Sequence, residues 1–301
     1  MIKAVNIHKS FGGGVKAVDG ITVEIEEGKV FGLLGTNGAG KSTVLRLLSG
    51  IYRSDEGEIS VDGEKVYENP AAKVKIFYIS DEQFFPQNSS PLDLSGMYCV
   101  YYPSFDARRY KELLERFGLP LQRKIRTFSK GMKKQLGIIC ALAAGTKYMF
   151  CDETFDGLDP VMRQAVKSIL AGEMEDRGLT PVIASHSLRE LEDICDHVGL
   201  LHRGGMLMSR DLCDAKGDLS KLQFVLPKDT DEAEALRGLD ILNMDHRGSL
   251  ITLTCRGERD EIQRRIEELN PVFFEMLPLT LEEIFISETG VKGYDIKKII
   301  G

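Results

Sequence analysis

The stretch Gly35-Thr36-Asn37-Gly38-Ala39-Gly40-Lys41-Ser42-Thr43 follows the apolar run Val30 to Leu34 and precedes the apolar-striped Val44-Leu45-Arg46-Leu47-Leu48. Strand, glycine-rich turn and helix in that order predict a loop that wraps a polyphosphate. The pattern GxxxxGK(S/T) puts glycines where backbone N–H groups must converge on an anion and side chains would obstruct. Gly35, Asn37, Gly38, Ala39 and Gly40 are the expected cradle. Lys41 is placed to reach the β and γ phosphates, and Ser42 to offer its hydroxyl to Mg²⁺. Thr43 and the turn after it are expected to open the helix, whose N-terminal partial positive charge favours the anion.

Around this loop, 301 residues with 43% hydrophobic content suffice for one large domain and a small one. A net charge of −7 offers no broad basic footprint, so no nucleic-acid partner is expected. Met1-Ile2-Lys3-Ala4-Val5 runs into an alternating strand pattern instead of a continuous apolar leader, and export of the chain is not expected. The longest apolar stretch, Ile138 to Ala144, is far short of the ~20 residues that cross a bilayer, so a membrane role calls for separate partner subunits. Cys99, Cys140, Cys151, Cys195, Cys213 and Cys255 form no CxxC pair, which fits a reduced, cytosolic compartment.

Two kinds of strand pattern alternate. Ile2 to Ile7, Ile21 to Ile25 and Ile59 to Asp62 alternate apolar and polar residues, predicting an antiparallel layer. Val30 to Leu34, Lys75 to Ile79, Tyr148 to Cys151 and Val182 to Ser185 are short continuous apolar runs, predicting buried parallel strands. Helical spacing takes over between about 84 and 145, with Tyr110, Leu113, Leu114 and Phe117 on one stripe and Leu136 to Ala144 apolar on most sides, as a helical insertion. A second stripe, Met162, Ala165, Val166, Ile169 and Leu170, ends near Gly178, and Val198 to Met208 reads as a hairpin. The expected large domain is 1–215. Over 216–301 the order strand, helix, strand, strand, helix, strand suggests a small α+β unit of ferredoxin-like type, carrying no phosphate, metal or catalytic motif.

Tyr148-Met149-Phe150-Cys151 ends in Asp152-Glu153, the form of a strand that delivers one acid to Mg²⁺ and another to an attacking water. Asp152 is the expected metal residue and Glu153 the expected general base. At this point the chain resembles the ATP-binding subunit of an ABC (ATP-binding cassette) transporter, nearest the bacterial export-type cassettes. Phe128-Ser129-Lys130-Gly131-Met132 is similar to that family's LSGGQ signature, departing from it at Phe128, Lys130 and Met132. The resemblance implies that Ser129 and Gly131 touch the γ phosphate held by a second cassette in a head-to-tail dimer. Read locally, Ser129 is also a helix N-cap. Asp156-Gly157-Leu158-Asp159 resembles the D-loop, in which Asp159 couples the two sites; Thr154 and Phe155 replace the family's usual Pro-Thr. His186, at the end of the strand Val182 to Ser185, matches the family's switch histidine that bonds the γ phosphate and completes the catalytic set with Glu153 and Lys41.

Two positions stay open. The loop after Tyr78-Ile79 resembles the one that carries a Mg²⁺-sensing glutamine: counting from the strand selects Asp81, residue type selects Gln83. Phe11, in Lys9-Ser10-Phe11-Gly12, resembles the aromatic that stacks on adenine, or it is a packing residue. The resemblance implies ATP and Mg²⁺ as cofactors, transmembrane permease subunits as partners, and a cytoplasmic position at the inner face of the membrane. The Leu-Glu-Glu-Ile-Phe sequence at Leu281 to Phe285 is similar to the tail of export-type chains. The alternative, a soluble ABC ATPase acting on ribosome or nucleic acid, lacks its usual second cassette, charged linker or coiled coil. A non-catalytic nucleotide-binding regulator is disfavoured by the presence of Glu153 and His186.

Overall fold

The computed structural model describes residues 1–156, 158–212 and 219–284, leaving aside the side chains of Arg189 and Glu190. It divides into two compact units, Met1–Ser209 and Arg210–Gly301.

The first unit contains two sheets. Strands β1 (Ile2–Phe11), β2 (Val15–Ile25), β4 (Glu56–Val61) and β5 (Glu64–Lys65) form an antiparallel sheet in the order β2-β1-β4-β5. β3 (Phe31–Gly35), β6 (Ile76–Ile79), β7 (Tyr148–Asp152), β8 (Thr180–Ser185), β9 (His197–His202) and β10 (Gly205–Asp211) form the other, in the order β10-β9-β3-β8-β7-β6. The pairs β3–β8, β3–β9, β7–β8 and β6–β7 are parallel, and the strands predicted to be parallel are in this sheet. The two hydrophobic patterns separate the sheets for a physical reason. β7 and β8 are buried at every position, so both their faces are covered, whereas β1 alternates buried and exposed residues along its first half.

Helix α1 (Lys41–Leu48) lies between the sheets, packing on β1, β2 and β4 as well as on β7 and β8. Val44, Leu45, Leu47 and Leu48 are buried in one core with Ile2, Ile7, Val18, Phe150 and Val182. Burial on both sides anchors the glycine loop that precedes α1. After α2 (Pro70–Lys73) and β6, helices α3 (Pro91–Tyr101), α4 (Ala107–Arg116) and α5 (Lys130–Ala144) pack together. Ser90 and Asp93 form a capping box at the start of α3, and the predicted stripe buries Tyr110, Leu113 and Leu114 of α4.

α6 (Pro160–Arg177) ends at Gly178 in the left-handed conformation, close to the expected stop, but its buried stripe is Val166, Leu170 and Glu173. Ala165 is exposed and Met162 and Ile169 are half-buried, so the stripe is narrower than periodicity predicts. Glu173 is only 2% exposed and is held by Arg109 and Arg177. These guanidinium partners are what make a buried carboxylate tolerable there. α7 (Leu188–Glu192) follows β8.

Asp62, in the turn after β4, accepts hydrogen bonds from the N-terminal ammonium at 2.8 Å, Tyr148 at 2.6 Å and Lys147 at 3.0 Å. Burial pushes its carboxyl up, but these donors outweigh it and hold the group well below the ordinary carboxylate range. A carboxyl depressed on folding contributes stability above its unfolded pKa and loses that contribution as pH falls toward the folded value. Asp62→Asn is expected to cost about 1–2 kcal/mol at neutral pH. Its melting-temperature deficit should shrink below about pH 4, where the carboxyl of the unfolded chain begins to protonate while the folded one stays ionised. Thermal melts across pH check this, and a deficit independent of pH would contradict it.

In the second unit, β11 (Leu219–Val225), α8 (Glu232–Ala235), β12 (Asp240–Arg247), β13 (Leu250–Arg256), α9 (Arg259–Glu267) and β14 (Phe273–Leu277) follow the order β-α-β-β-α-β. The sheet order is β12-β13-β11-β14, every pair antiparallel. Leu222, Phe224, Leu253, Ile262 and Ile266 form its core. Of the tail resembling export-type chains, Leu281 to Ile284 is helical and Phe285 lies outside the described residues, as does Cys213.

Candidate functional site

β3, β8 and β7 are adjacent and parallel, so the segments leaving their C-terminal ends meet on one edge of the sheet. This edge is where open α/β sheets hold ligands. Gly35 ends β3, Asp152 ends β7, and Ser185 ends β8 one residue before His186. The phosphate loop, the two acids and the histidine, scattered over 150 residues of sequence, are thereby collected.

The loop has the backbone of an anion cradle. Gly40, the N-cap of α1, sits at φ 107°, and a Cβ there would lie 2.4 Å from the Ala17 carbonyl oxygen. Only glycine fits. Gly38, at φ 81°, faces open space. The helix starts at Lys41, two residues before the expected opening at Thr43, because the left-handed Gly40 completes the turn by itself. Thr43 therefore lies inside the first turn.

The Lys41 ammonium, with the residue only 5% exposed, donates to the carbonyls of Gly35 at 2.7 Å and Thr36 at 3.3 Å and pairs with Glu153 Oε1 at 3.1 Å. Ser42 Oγ donates to Asp152 Oδ1 at 2.9 Å, and Tyr78 donates to Asp152 Oδ2 at 2.8 Å. Burial, and then the Asp152 carboxylate, push the Tyr78 phenol up, so it remains a proton donor to this fully buried acid. The hydroxyl and carboxylate oxygens at the Ser42–Asp152 contact are the hard donors that suit Mg²⁺, and the open loop beside a buried ammonium suits a polyphosphate. The residues fit ATP and Mg²⁺.

Glu153 joins the two sides. Its Oε2 is 2.9 Å from His186 Nδ1, which is also 3.4 Å from Asp156 Oδ2. Its backbone is left-handed, φ 47°, and its amide donates to Ala184 at 3.0 Å. Thr154 and Phe155, which stand where the family usually has Pro-Thr, are buried at 1% and 3% exposure, and Leu158 at 5%. Gly157 of the expected D-loop lies outside the described residues.

Ser129 is the N-cap of α5, accepting from Met132 N at 3.2 Å, and it is exposed, with Gly131 in the first turn. Asp159 caps α6, accepting from Met162 N at 2.9 Å, and is exposed too. Neither is joined to the Lys41–Glu153 cluster by a hydrogen bond. Phe11 is 42% exposed at the end of β1 and meets Tyr52 edge-to-face at 5.6 Å. Gln83 has not joined the metal-side residues: its amide donates to Ser80 and its side-chain oxygen lies against Gly137 of α5. Asp81 contacts Lys134 at 3.2 Å, and Lys134 in turn donates to the Glu153 carbonyl at 2.6 Å.

Tyr78 and Lys134 escaped sequence reasoning. Tyr78 is one aromatic in an apolar strand, and Lys134 follows Lys133 in what looks like a solvated basic run. Burial pushes the Cys140 and Cys151 thiols up to about 12, so neither is a reactive thiolate at neutral pH.

Fold and site together define a P-loop nucleotide-binding cassette. A family model described as ABC transporter matches residues 18–156. Over 283 residues the chain is 34% identical to the ABC transporter ATP-binding protein YtrB of Bacillus subtilis, covering 92% of this chain and 96% of that protein. It is 33% identical over 205 residues to the methionine import ATP-binding protein MetN of Carboxydothermus hydrogenoformans, covering 63% of this chain and 59% of that one. A solved ATP-binding subunit of an ABC transporter superimposes with a TM-score of 0.67 at 25% identity, over 72% of this chain and 92% of that chain. The protein belongs to the family of ABC transporter ATP-binding subunits. No helix among the described residues is long and apolar enough to cross a membrane.

Proposed function

We propose that this chain hydrolyses ATP in a head-to-tail pair of cassettes and drives export through separate transmembrane permease subunits, sitting peripherally at the inner face of the membrane. The observation that carries the reading is Glu153, whose carboxylate spans from the Lys41 ammonium to His186 beside the Ser42–Asp152 contact. In this reading Gly35, Asn37, Gly38, Ala39, Gly40 and Thr43 cradle the phosphates and Lys41 binds the β and γ groups. Ser42 and Asp152 would hold Mg²⁺, with the loop at Asp81 or Gln83 nearby, and the chemistry the ion would supply there is neutralisation of charge on the transferring phosphoryl group. Glu153 takes the proton of the attacking water, and His186 Nδ1 orients its carboxylate. Phe11 stacks on adenine. The ABC domain is 1–215 with its helical insertion at about 84–145, and 216–301 is a ferredoxin-like accessory domain.

Export rests on the likeness of the Leu281 to Phe285 segment, while one relative is named for import. Purification from membranes tests the assignment: a co-purifying multi-pass protein and transport of its cargo outward support it. Inward transport overturns the direction, and salt-sensitive association with RNA instead of a membrane protein overturns the assignment.

Exposure of Ser129 and Asp159 supports a role across a subunit interface. With ATP bound and hydrolysis blocked by Glu153→Gln, the protein is expected to run as a dimer. Adding Ser129→Arg should return it to a monomer that still binds ATP, with apparent affinity lowered by the lost interfacial contacts, since the new cation would crowd the partner's phosphate pocket. Size exclusion with light scattering decides, and a dimer that survives the arginine would rule out this interface.

A further inference from the structure

Lys134 stands in the second turn of α5 and is only 2% exposed, although Lys130 and Lys133 beside it are exposed and half-buried. An ammonium is costly to bury unless its hydrogens are taken up by well-placed acceptors. Its two acceptors here come from separate parts of the site. One is the Glu153 carbonyl at 2.6 Å and the other is Asp81 Oδ1 at 3.2 Å, in the loop that leaves β6.

The first contact matters because of the conformation it holds. A non-glycine residue at φ 47° crowds its own Cβ against the backbone and persists only where surrounding contacts over-determine it. Glu153 is held at both peptide groups: its N–H donates to Ala184 on β8, and its carbonyl accepts from Lys134. Rotation of either peptide would swing the carboxylate away from Lys41 and His186. The second contact places a partly exposed carboxylate, 52% by side chain, on the same ammonium. Movement of the loop after β6 therefore changes how firmly Lys134 grips Glu153.

We propose that Lys134 is a positioning residue for ATP hydrolysis, fixing the left-handed backbone of Glu153 and linking it through Asp81 to the loop after β6. The proposal rests on Glu153 being the general base. It assigns Lys134 no contact with nucleotide, so turnover and not nucleotide affinity should respond.

The test is steady-state ATPase of the full chain, with Glu153→Gln as reference. Lys134→Met keeps the length of the side chain and removes its donors; kcat is expected to fall about 10- to 100-fold with KM for ATP within about twofold. Lys134→Arg, which keeps charge and donors, should recover part of that loss. Asp81→Asn should lower kcat about threefold alone and add nothing in the Lys134→Met background, because both act through one contact. Wild-type kcat in Lys134→Met, or a loss carried by KM alone, overturns the proposal. If Lys134→Met does not fold, Asp81→Asn decides: a lowered kcat at unchanged KM supports the link, and unchanged kcat overturns it. Turnover persisting in Glu153→Gln would remove the base assignment itself. A dead Glu153→Gln beside a fully active Lys134→Met would remove this inference alone.

Discussion

Glu153→Gln is expected to depress ATP turnover by about 10²–10⁴-fold, the range associated with loss of a general base. The same change is expected to tighten nucleotide binding by a few-fold. In the structure the Lys41 ammonium is engaged by Glu153 Oε1 at 3.1 Å, with the two side chains only 6% and 13% exposed. An incoming triphosphate must draw Lys41 away from that carboxylate. A glutamine is neutral and holds the lysine less firmly, so less is lost when phosphate takes over. The two readouts move in opposite directions, which separates the variant from a misfolded one. Phosphate release and titration with a fluorescent ATP analogue measure them. Turnover within about twofold of wild type would reject Glu153 as the base.

Lys41→Ala is expected to weaken ATP binding roughly 10- to 150-fold, the equivalent of one or more charge-assisted hydrogen bonds at about 1.5–3 kcal/mol. It also leaves the Gly35 and Thr36 carbonyls without their donor and the Glu153 carboxylate without its nearest cation. A fall in melting temperature is therefore expected as well. The double variant Lys41→Ala with Glu153→Gln removes the orphaned charge, and it should regain stability without regaining affinity. Calorimetric titration and melting curves check this pair of outcomes. Wild-type ATP affinity in Lys41→Ala would contradict the assigned contact with phosphate.

Much of this site could be read from sequence because its chemistry is local. The glycines at 38 and 40, Lys41 and Ser42 lie within one short window that spans the loop and the first turn of α1, and their spacing reflects backbone geometry that any chain must obey. The parallel strands were legible because burial on both faces demands continuous apolar runs. The register of the loop after β6 was not legible. Residue type favoured Gln83, yet Gln83 bonds to Ser80 while Asp81 reaches Lys134, a difference set by how that loop lies on α5. Glu173 likewise reads as a solvated acid until Arg109, 64 residues away, closes on it.

Sequence by itself determined the phosphate loop, the two strand classes, the acids at the end of β7 and the histidine after β8. Each is written in a short window where propensity, periodicity or spacing carries the information. Tertiary structure alone decided that β3, β8 and β7 are neighbours, that Lys41 and Glu153 neutralise one another, and that Lys134 is buried beneath Glu153. Those facts depend on which strands pair and which charges lose their water. Such outcomes are settled by packing across the whole unit, and no local window contains them.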